Sequence, residues 1–401
     1  MPSSVLILRA RTLLTLAGET AARGGNLFAP LKKIDNAALV VRDGHVEAAF
    51  SWPGSHTPAG ARVRDLGSVC LAPACVNAHT HLNLSHLAGR TTWRRGFTPW
   101  LASLVPMLAE PISPPALEDA CADIAGSGAV HVGDFSGTLS AGPAAADQAC
   151  RACGLGVTHF CEWFGFKSPL IDTISPWPPY CRKALAENPA IAFRAAPCGH
   201  ALYSTSPKAL RAAKEHCARN NRIFAFHLAE SPEETEMLTT GRGSLKDLYA
   251  DRVLPETWRA PGLRPMAYAA ALGLLGPGAL AVHGTQLNTA EAAELATTGT
   301  ALCLCPRSNN NLGLGPPPMR ELLESGVLLC LGTDGLSTNS DLDVRKEAVY
   351  LRETMDVQPE ALVRLLTVNG AAALGLAGAG AGQLTRNSPA AFCILPESLT
   401  Y

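Results

Sequence analysis

Two histidines separated by one residue, His79 and His81, close an apolar run that begins at Val69. In an extended strand residues i and i+2 project from one face, so the two imidazoles stand side by side where the strand ends. Neutral imidazoles placed that way form half of a metal site. Other apolar runs end in the same manner: Ile223–His227 in His227, Ala281-Val282-His283 in His283, and Leu329–Gly332 just before Asp334. Any one of these residues could simply cap a loop or helix, but capping is a poor account of all five together. Histidines with one carboxylate suit zinc or ferrous iron. Glu230 lies three residues beyond His227, close enough to shuttle protons beside such an ion. Ser231-Pro232-Glu233-Glu234 also reads as a helix start, where an acid is favoured by the helix dipole alone. The neighbouring His227 tips Glu230 toward proton transfer.

Groups from separate runs meet only if the runs are assembled at one rim. From about residue 67, eight apolar strand candidates alternate with Ala/Leu-rich helical stretches. The strands are Val69–Ala78, Ala129–Phe135, Leu155–Glu162, Ile191–Cys198, Arg222–Leu228, Ala279–His283, Thr300–Cys305 and Val327–Gly332. Helical patterns include Leu117–Ala125, Pro207–Ala218, Glu233–Leu238, Ala290–Ala296 and Met319–Ser325, then Leu342–Met355 and Pro359–Leu374. This alternation points to an α/β fold, a (β/α)8 barrel of the TIM type, whose catalytic groups gather at the C-terminal strand ends. A doubly wound sheet is the alternative, without a Gly-x-Gly-x-x-Gly turn to support it. Residues 1–66 carry short β-type runs split by Gly and Pro turns, and 377–401 carry more. Both termini are therefore expected to build a small β-sandwich subdomain on a barrel of residues 67–376.

Composition narrows the function. Of 401 residues 47% are hydrophobic and 17% charged, which suits a large buried core. A net charge of −1 gives no reason to expect nucleic acid or an anionic membrane as partner. Arg9 and Arg11 interrupt the apolar N-terminal run, so it reads as a first strand and not a signal peptide. The 13 cysteines are an odd number scattered along the chain, several inside apolar runs (Cys198, Cys303, Cys330), which fits reduced core residues of a cytoplasmic protein. A small molecule is the expected partner, and a homodimer is compatible with everything above.

The set His79-x-His81, His227-x-x-Glu230, His283-Gly284 and Gly332-Thr333-Asp334 resembles the amidohydrolase superfamily, in its cytosine/adenosine-type deaminase and chlorohydrolase branch. Thr367–Gly375 is similar to that branch's closing helix, whereas Arg386-Asn387-Ser388-Pro389-Ala390 departs from its usual Gly-Lys-x-Ala-Asp turn. The resemblance implies one divalent metal, zinc or alternatively iron, held by His79, His81, His227 and Asp334. A bridging lysine of two-metal relatives has no counterpart in Ile191–Cys198. It further implies that His283 contacts the attacking water and that Glu230 protonates a ring nitrogen, with Asp334 sharing in proton transfer. Substrate contacts are implied at His200, in Gly199–Ser204, and at Arg307, in Cys305–Asn309. Trp100, with Phe97, and Trp163, with Phe164 and Phe166, supply aromatic faces. Arg307 suits a substrate carboxylate.

The activity implied is hydrolytic deamination of an aminopurine nucleoside, releasing ammonia. Within the branch the strings around Glu162, His227 and Cys305 look most like the 6-aminodeoxyfutalosine deaminases of menaquinone biosynthesis. Adenosine, S-adenosylhomocysteine, methylthioadenosine or guanine are alternative substrates, and chloro- or amide hydrolysis an alternative reaction. A non-catalytic scaffold on the same barrel is the remaining alternative.

Overall fold

The computed structural model describes residues 5–54, 58, 60–136, 142–166, 175–250 and 252–400. Eight parallel strands make the central barrel. Cys75–Thr80, Ala129–Ser136, Gly156–Trp163 and Ala195–Gly199 form one half, and Phe224–Leu228, Ala279–His283, Ala301–Leu304 and Leu328–Leu331 the other. Strands five to eight are buried at every residue, as expected of strands covered on both faces.

The two halves join at their C-terminal ends. Between the fourth and fifth strands, the His227 N–H donates to the His200 carbonyl at 2.8 Å, and Ala201 pairs with His227. Between the eighth and first, the N–H groups of Thr333 and Asp334 donate to the His79 carbonyl at 3.0 and 3.1 Å. Asn77 locks this seam by donating to Thr333 Oγ1 at 2.7 Å and accepting the Thr333 N–H at 3.1 Å. Gly332 permits the approach: a Cβ there would lie 2.6 Å from the His79 Cβ.

Helices between the strands begin on signals legible in the sequence. Ser113, Ser206 and Ser231 accept backbone N–H groups as N-caps, each followed by proline in the first turn. Asn288 and Glu291 make a reciprocal capping box. The closing segment runs from Pro359 as a helix, loosens into a π-turn over Leu365–Asn369, and ends at Ala373. Its Asn369 donates to the Ala22 and Leu329 carbonyls and accepts the Ala22 N–H, tying it to the N-terminal segment and the eighth strand.

Two expected strands need correction. Val69–Ala78 is not one strand. Cys70–Pro73 pairs with Val5–Leu14 and Phe392–Ile394, whereas Cys75–Thr80 starts the barrel, so one apolar run feeds two sheets across Pro73-Ala74. Ile191–Cys198 is a helix in its first half. Asn188 accepts the Ile191 N–H and Pro189 opens Pro189–Arg194, leaving the strand to begin at Ala195. Cap chemistry there outweighs an apolar run of ambiguous period.

Strands from both termini form one six-stranded sheet, in the order Phe392–Ile394, Cys70–Pro73, Val5–Leu14, Lys33–Arg42, His45–Ser51, with Arg62–Asp65 also on Val5–Leu14. Where the sequence suggested a sandwich, the described strands make this single sheet with an apolar cluster on each face. Leu8, Leu39 and Leu71 lie on one, and Ile7, Ala38 and Val40 on the other, following the two-residue alternation.

Candidate active site

All five rim residues converge. His79 and Asp334 are 3.4 Å apart (Nε2 to Oδ1), and His81 Nε2 is 3.6 Å from the same oxygen. The ring centres of His79 lie 4.9, 5.0 and 5.7 Å from those of His81, His227 and His283. Donor atoms of His79, His81 and Asp334 fall within 4.8 Å of one another, as do those of His79, His227 and His283, and of Glu230, His283 and Asp334. Backbone shape contributes, for Ala229, His283 and Asp334 have φ of +52°, +78° and +58°. Left-handed non-glycine residues cost about 1–3 kcal/mol each and cluster where side chains must be aimed.

Proton positions follow from the partners. His81 Nδ1 is 3.1 Å from the Phe135 carbonyl and His227 Nδ1 is 2.7 Å from that of His200, so each donates there and presents Nε2 as a lone pair. His283 Nδ1 donates likewise to Asn309 Oδ1 at 3.0 Å. Neither ring nitrogen of buried His79 has a hydrogen-bond partner. Burial pushes the His79 imidazole down to about 3, that of His283 down to about 4, and that of His227 well below its ordinary value. Burial by itself would raise Asp334, yet the neighbouring imidazoles of His79, His81 and His283 hold it well below the usual carboxylate range. Its Oδ2 accepts the hydroxyls of Ser308 at 2.6 Å and Thr338 at 3.0 Å.

Neutral imidazoles, one carboxylate, an orphaned buried histidine and ring N–H groups anchored on carbonyls are the donor set and the support that a divalent ion requires. The residues therefore fit such an ion, and His79, His81, His227 and Asp334 are those that would hold it. Glu230 is different in kind. Burial, then the charges of Asp334, Glu234 and Glu233, push it well above its ordinary value, which favours its protonated form. Its Oε1 is 3.5 Å from His283 Nε2.

The constellation opens into a cleft of about 950 Å³, mouth included. Phe97, Trp100, Leu101, Leu104, Val105 and Leu108 make one wall, supplied by the helix Phe97–Leu104 and the turn after it. His200 lies on the cleft, its Nδ1 2.6 Å from Ser204 Oγ. Two expected contacts do not reach it. Trp163 is 3% exposed, packs in the core and donates Nε1–H to the Pro176 carbonyl at 2.7 Å. Its neighbour Phe164 lines the cleft instead, since adjacent residues at a strand end face opposite ways.

Arg307 is also turned away. Its guanidinium donates to both Asp341 oxygens at 3.0 and 2.9 Å, to Ser340 at 2.8 Å and to Glu347 at 3.4 Å. Glu347 is fully buried, and burial pushes it up to about 8 even with Arg307 pulling it down. Arg307→Met should therefore lower stability by about 1–3 kcal/mol by removing the guanidinium bonds to Asp341, Ser340 and Glu347, read as a fall in the denaturant midpoint. The ratio of rates on charged and uncharged substrates should not move; a changed ratio would return Arg307 to the site. Sequence reasoning missed Glu162 and Asn83, which both line the cleft. Glu162 is the penultimate residue of the third strand, as His227 is of the fifth.

Comparison with known proteins agrees with this architecture. Residues 70–396 match the amidohydrolase family, and the chain belongs to it. A relative from Nitratidesulfovibrio vulgaris named 5-methylthioadenosine/S-adenosylhomocysteine deaminase is 29% identical over 91% of this chain and 80% of its own length. The aminodeoxyfutalosine deaminase of Deinococcus radiodurans is 27% identical over 76% of this chain and 73% of its own. Among solved structures, Helicobacter pylori aminofutalosine deaminase in complex with methylthio-coformycin superposes with a TM-score of 0.79 at 19% identity, covering 96% of this chain and 91% of that one. The last likeness speaks to the fold.

Proposed function

We propose that the chain is a metal-dependent hydrolase that deaminates a 6-aminopurine nucleoside, replacing the exocyclic amine by oxygen and releasing ammonia. The observation that carries this reading is the buried cluster of Glu230, His283 and Asp334 on the cleft, with Glu230 Oε1 3.5 Å from His283 Nε2, in which burial raises the Glu230 carboxyl and lowers the His283 imidazole. His79, His81, His227 and Asp334 would hold a divalent ion, which would supply the Lewis acidity that activates water near neutral pH. Zinc is the reading the imidazole-rich set supports, and iron the alternative.

Each residue has a task at a stated atom. Glu230 delivers its proton to a ring nitrogen adjacent to the carbon under attack, raising that carbon's electrophilicity. His283, its Nδ1 committed to Asn309, offers Nε2 to the proton lost by the incoming water. Asp334 receives protons through Oδ1, while Ser308 and Thr338 hold Oδ2 still. The amine leaves once protonated. The apolar wall excludes water from the ring and strengthens these polar contacts.

On the finer substrate, aminodeoxyfutalosine needed Arg307 for its carboxylate, and that guanidinium serves Asp341 and Glu347 instead. Among the described residues lining the cleft none is Lys or Arg. The wall from Phe97 to Leu108 supports an uncharged, apolar 5′ substituent, such as a methylthio group. Ammonia release over adenosine, methylthioadenosine, S-adenosylhomocysteine, aminodeoxyfutalosine and guanine tests this, with methylthioadenosine expected to give the highest kcat/KM. A preference for aminodeoxyfutalosine would restore the menaquinone reading, and turnover of none would remove the deaminase.

A further inference from the structure

One carboxyl in the cleft has no task in this mechanism. Glu162 is 3% exposed, and its Oε1 has no hydrogen-bond partner among the described residues. His227 Nδ1 lies 3.7 Å from Oε1 and His81 Nδ1 lies 3.9 Å from Oε2, but both N–H groups are already given to backbone carbonyls. Asn83, in the turn that follows His81, is 1% exposed with both Oδ1 and Nδ2 unpartnered, and it lines the same cleft. A buried polar group left unpaired costs about 1–3 kcal/mol, so two of them on one cavity call for a ligand.

A second metal is not that ligand. Donor atoms of Glu162, His200 and His227 do lie within 4.8 Å of one another. However, His227 reaches this group through Nδ1, whose proton is on the His200 carbonyl, so it has no lone pair to give. Burial, then the charges of Asp134 and Asp334, push Glu162 well above its ordinary value; in either protonation form the carboxyl keeps an acceptor oxygen, which a hydrogen-bond donor would satisfy. A 6-aminopurine nucleoside carries donors in two places, the exocyclic amine and the sugar hydroxyls; its unsubstituted ring nitrogens are acceptors. The amine belongs with Glu230, His283 and Asp334, which stand at or just beyond the ends of the fifth, sixth and eighth strands. Glu162, the penultimate residue of the third strand, is left for the remaining donors.

We propose that Glu162 Oε1 accepts a hydrogen bond from a sugar hydroxyl of the nucleoside, with the Asn83 carboxamide completing the anchor. Glu162 is thus a specificity-determining residue that distinguishes nucleosides from free bases and from deoxy sugars. The inference rests on the deaminase reading above, and the test separates the two.

Kinetics with adenosine, 2′-deoxyadenosine, 3′-deoxyadenosine and 9-methyladenine should show wild type penalising at least one deoxy sugar by about 5-fold or more in kcat/KM, the worth of one hydrogen bond. Glu162→Ala should lose about that factor on adenosine, mostly in KM, and almost nothing on 9-methyladenine, so the deoxy penalty disappears. Glu162→Gln, which keeps an acceptor oxygen and the side-chain shape, should recover part of it. Equal losses on all four compounds, a deoxy penalty that persists in Glu162→Ala, or a fall in metal content would overturn the anchor. Calorimetric titration with purine riboside, which has the sugar and no amine, reads the contact without turnover. Weaker binding by Glu162→Ala supports the anchor, whereas equal affinity or no binding by wild type overturns it. Failure of wild type to release ammonia from any aminopurine counts against the deaminase alone.

Discussion

Chelation of the purified chain should abolish ammonia release, and one equivalent of zinc or ferrous iron should restore it. Untreated protein should contain about one divalent ion per chain, because His79, His81, His227 and Asp334 make one set open on the side of the cleft. His227→Ala should lose most of that ion. Its ring is buried, neutral and fixed by the bond to the His200 carbonyl, so its replacement removes a ligand already aimed. His283→Ala is the contrast. It should retain the ion and lose turnover, since that residue is assigned to the reacting water. Full metal occupancy in His227→Ala would refute the ligand assignment, and loss of the ion in His283→Ala would move His283 into the ligand set.

Glu230→Gln is expected to keep the fold and the ion and to lower kcat by at least about 100-fold. The amide has the size of the acid and can still take a place beside His283, but it cannot give up and regain a proton. The loss should fall on kcat more than on KM, since proton delivery to the ring occurs only as the carbon is attacked. The competing account, an acid placed at a helix start by the dipole, has a weak hold on this residue. The helix Pro232–Thr240 is capped by Ser231, and Glu234 receives the Glu230 N–H at 2.7 Å. Near-normal kcat in the variant would nevertheless establish that account.

Much of this site was legible before folding was considered. His79, His81, His227, His283 and Asp334 could be found because a barrel places every strand end on one rim, and an apolar run announces its own end. Ser231-Pro232, Ser206-Pro207 and Asn288 through Glu291 announced helix starts in the same local way. Glu162 obeys the same rim rule, but a lone acid beside Trp163 and Phe164 carries no recognisable spacing.

What the sequence by itself determined is therefore local: the order of strands and helices, the ends of most of them, and the types of residue carried to the rim. Tertiary structure decided which partner each side chain meets. Arg307 binds Asp341 and Glu347, 34 and 40 residues further along, and no spacing rule links them in advance. Phe164 and not Trp163 faces the cleft, because a shift of one residue at a strand end exchanges the two faces. Val69–Ala78 divides between two sheets only because Val5–Leu14 and Ala129–Ser136 compete for its two halves. Periodicity and capping act over a few residues, whereas burial and ion pairing are settled by groups the chain brings together from far apart.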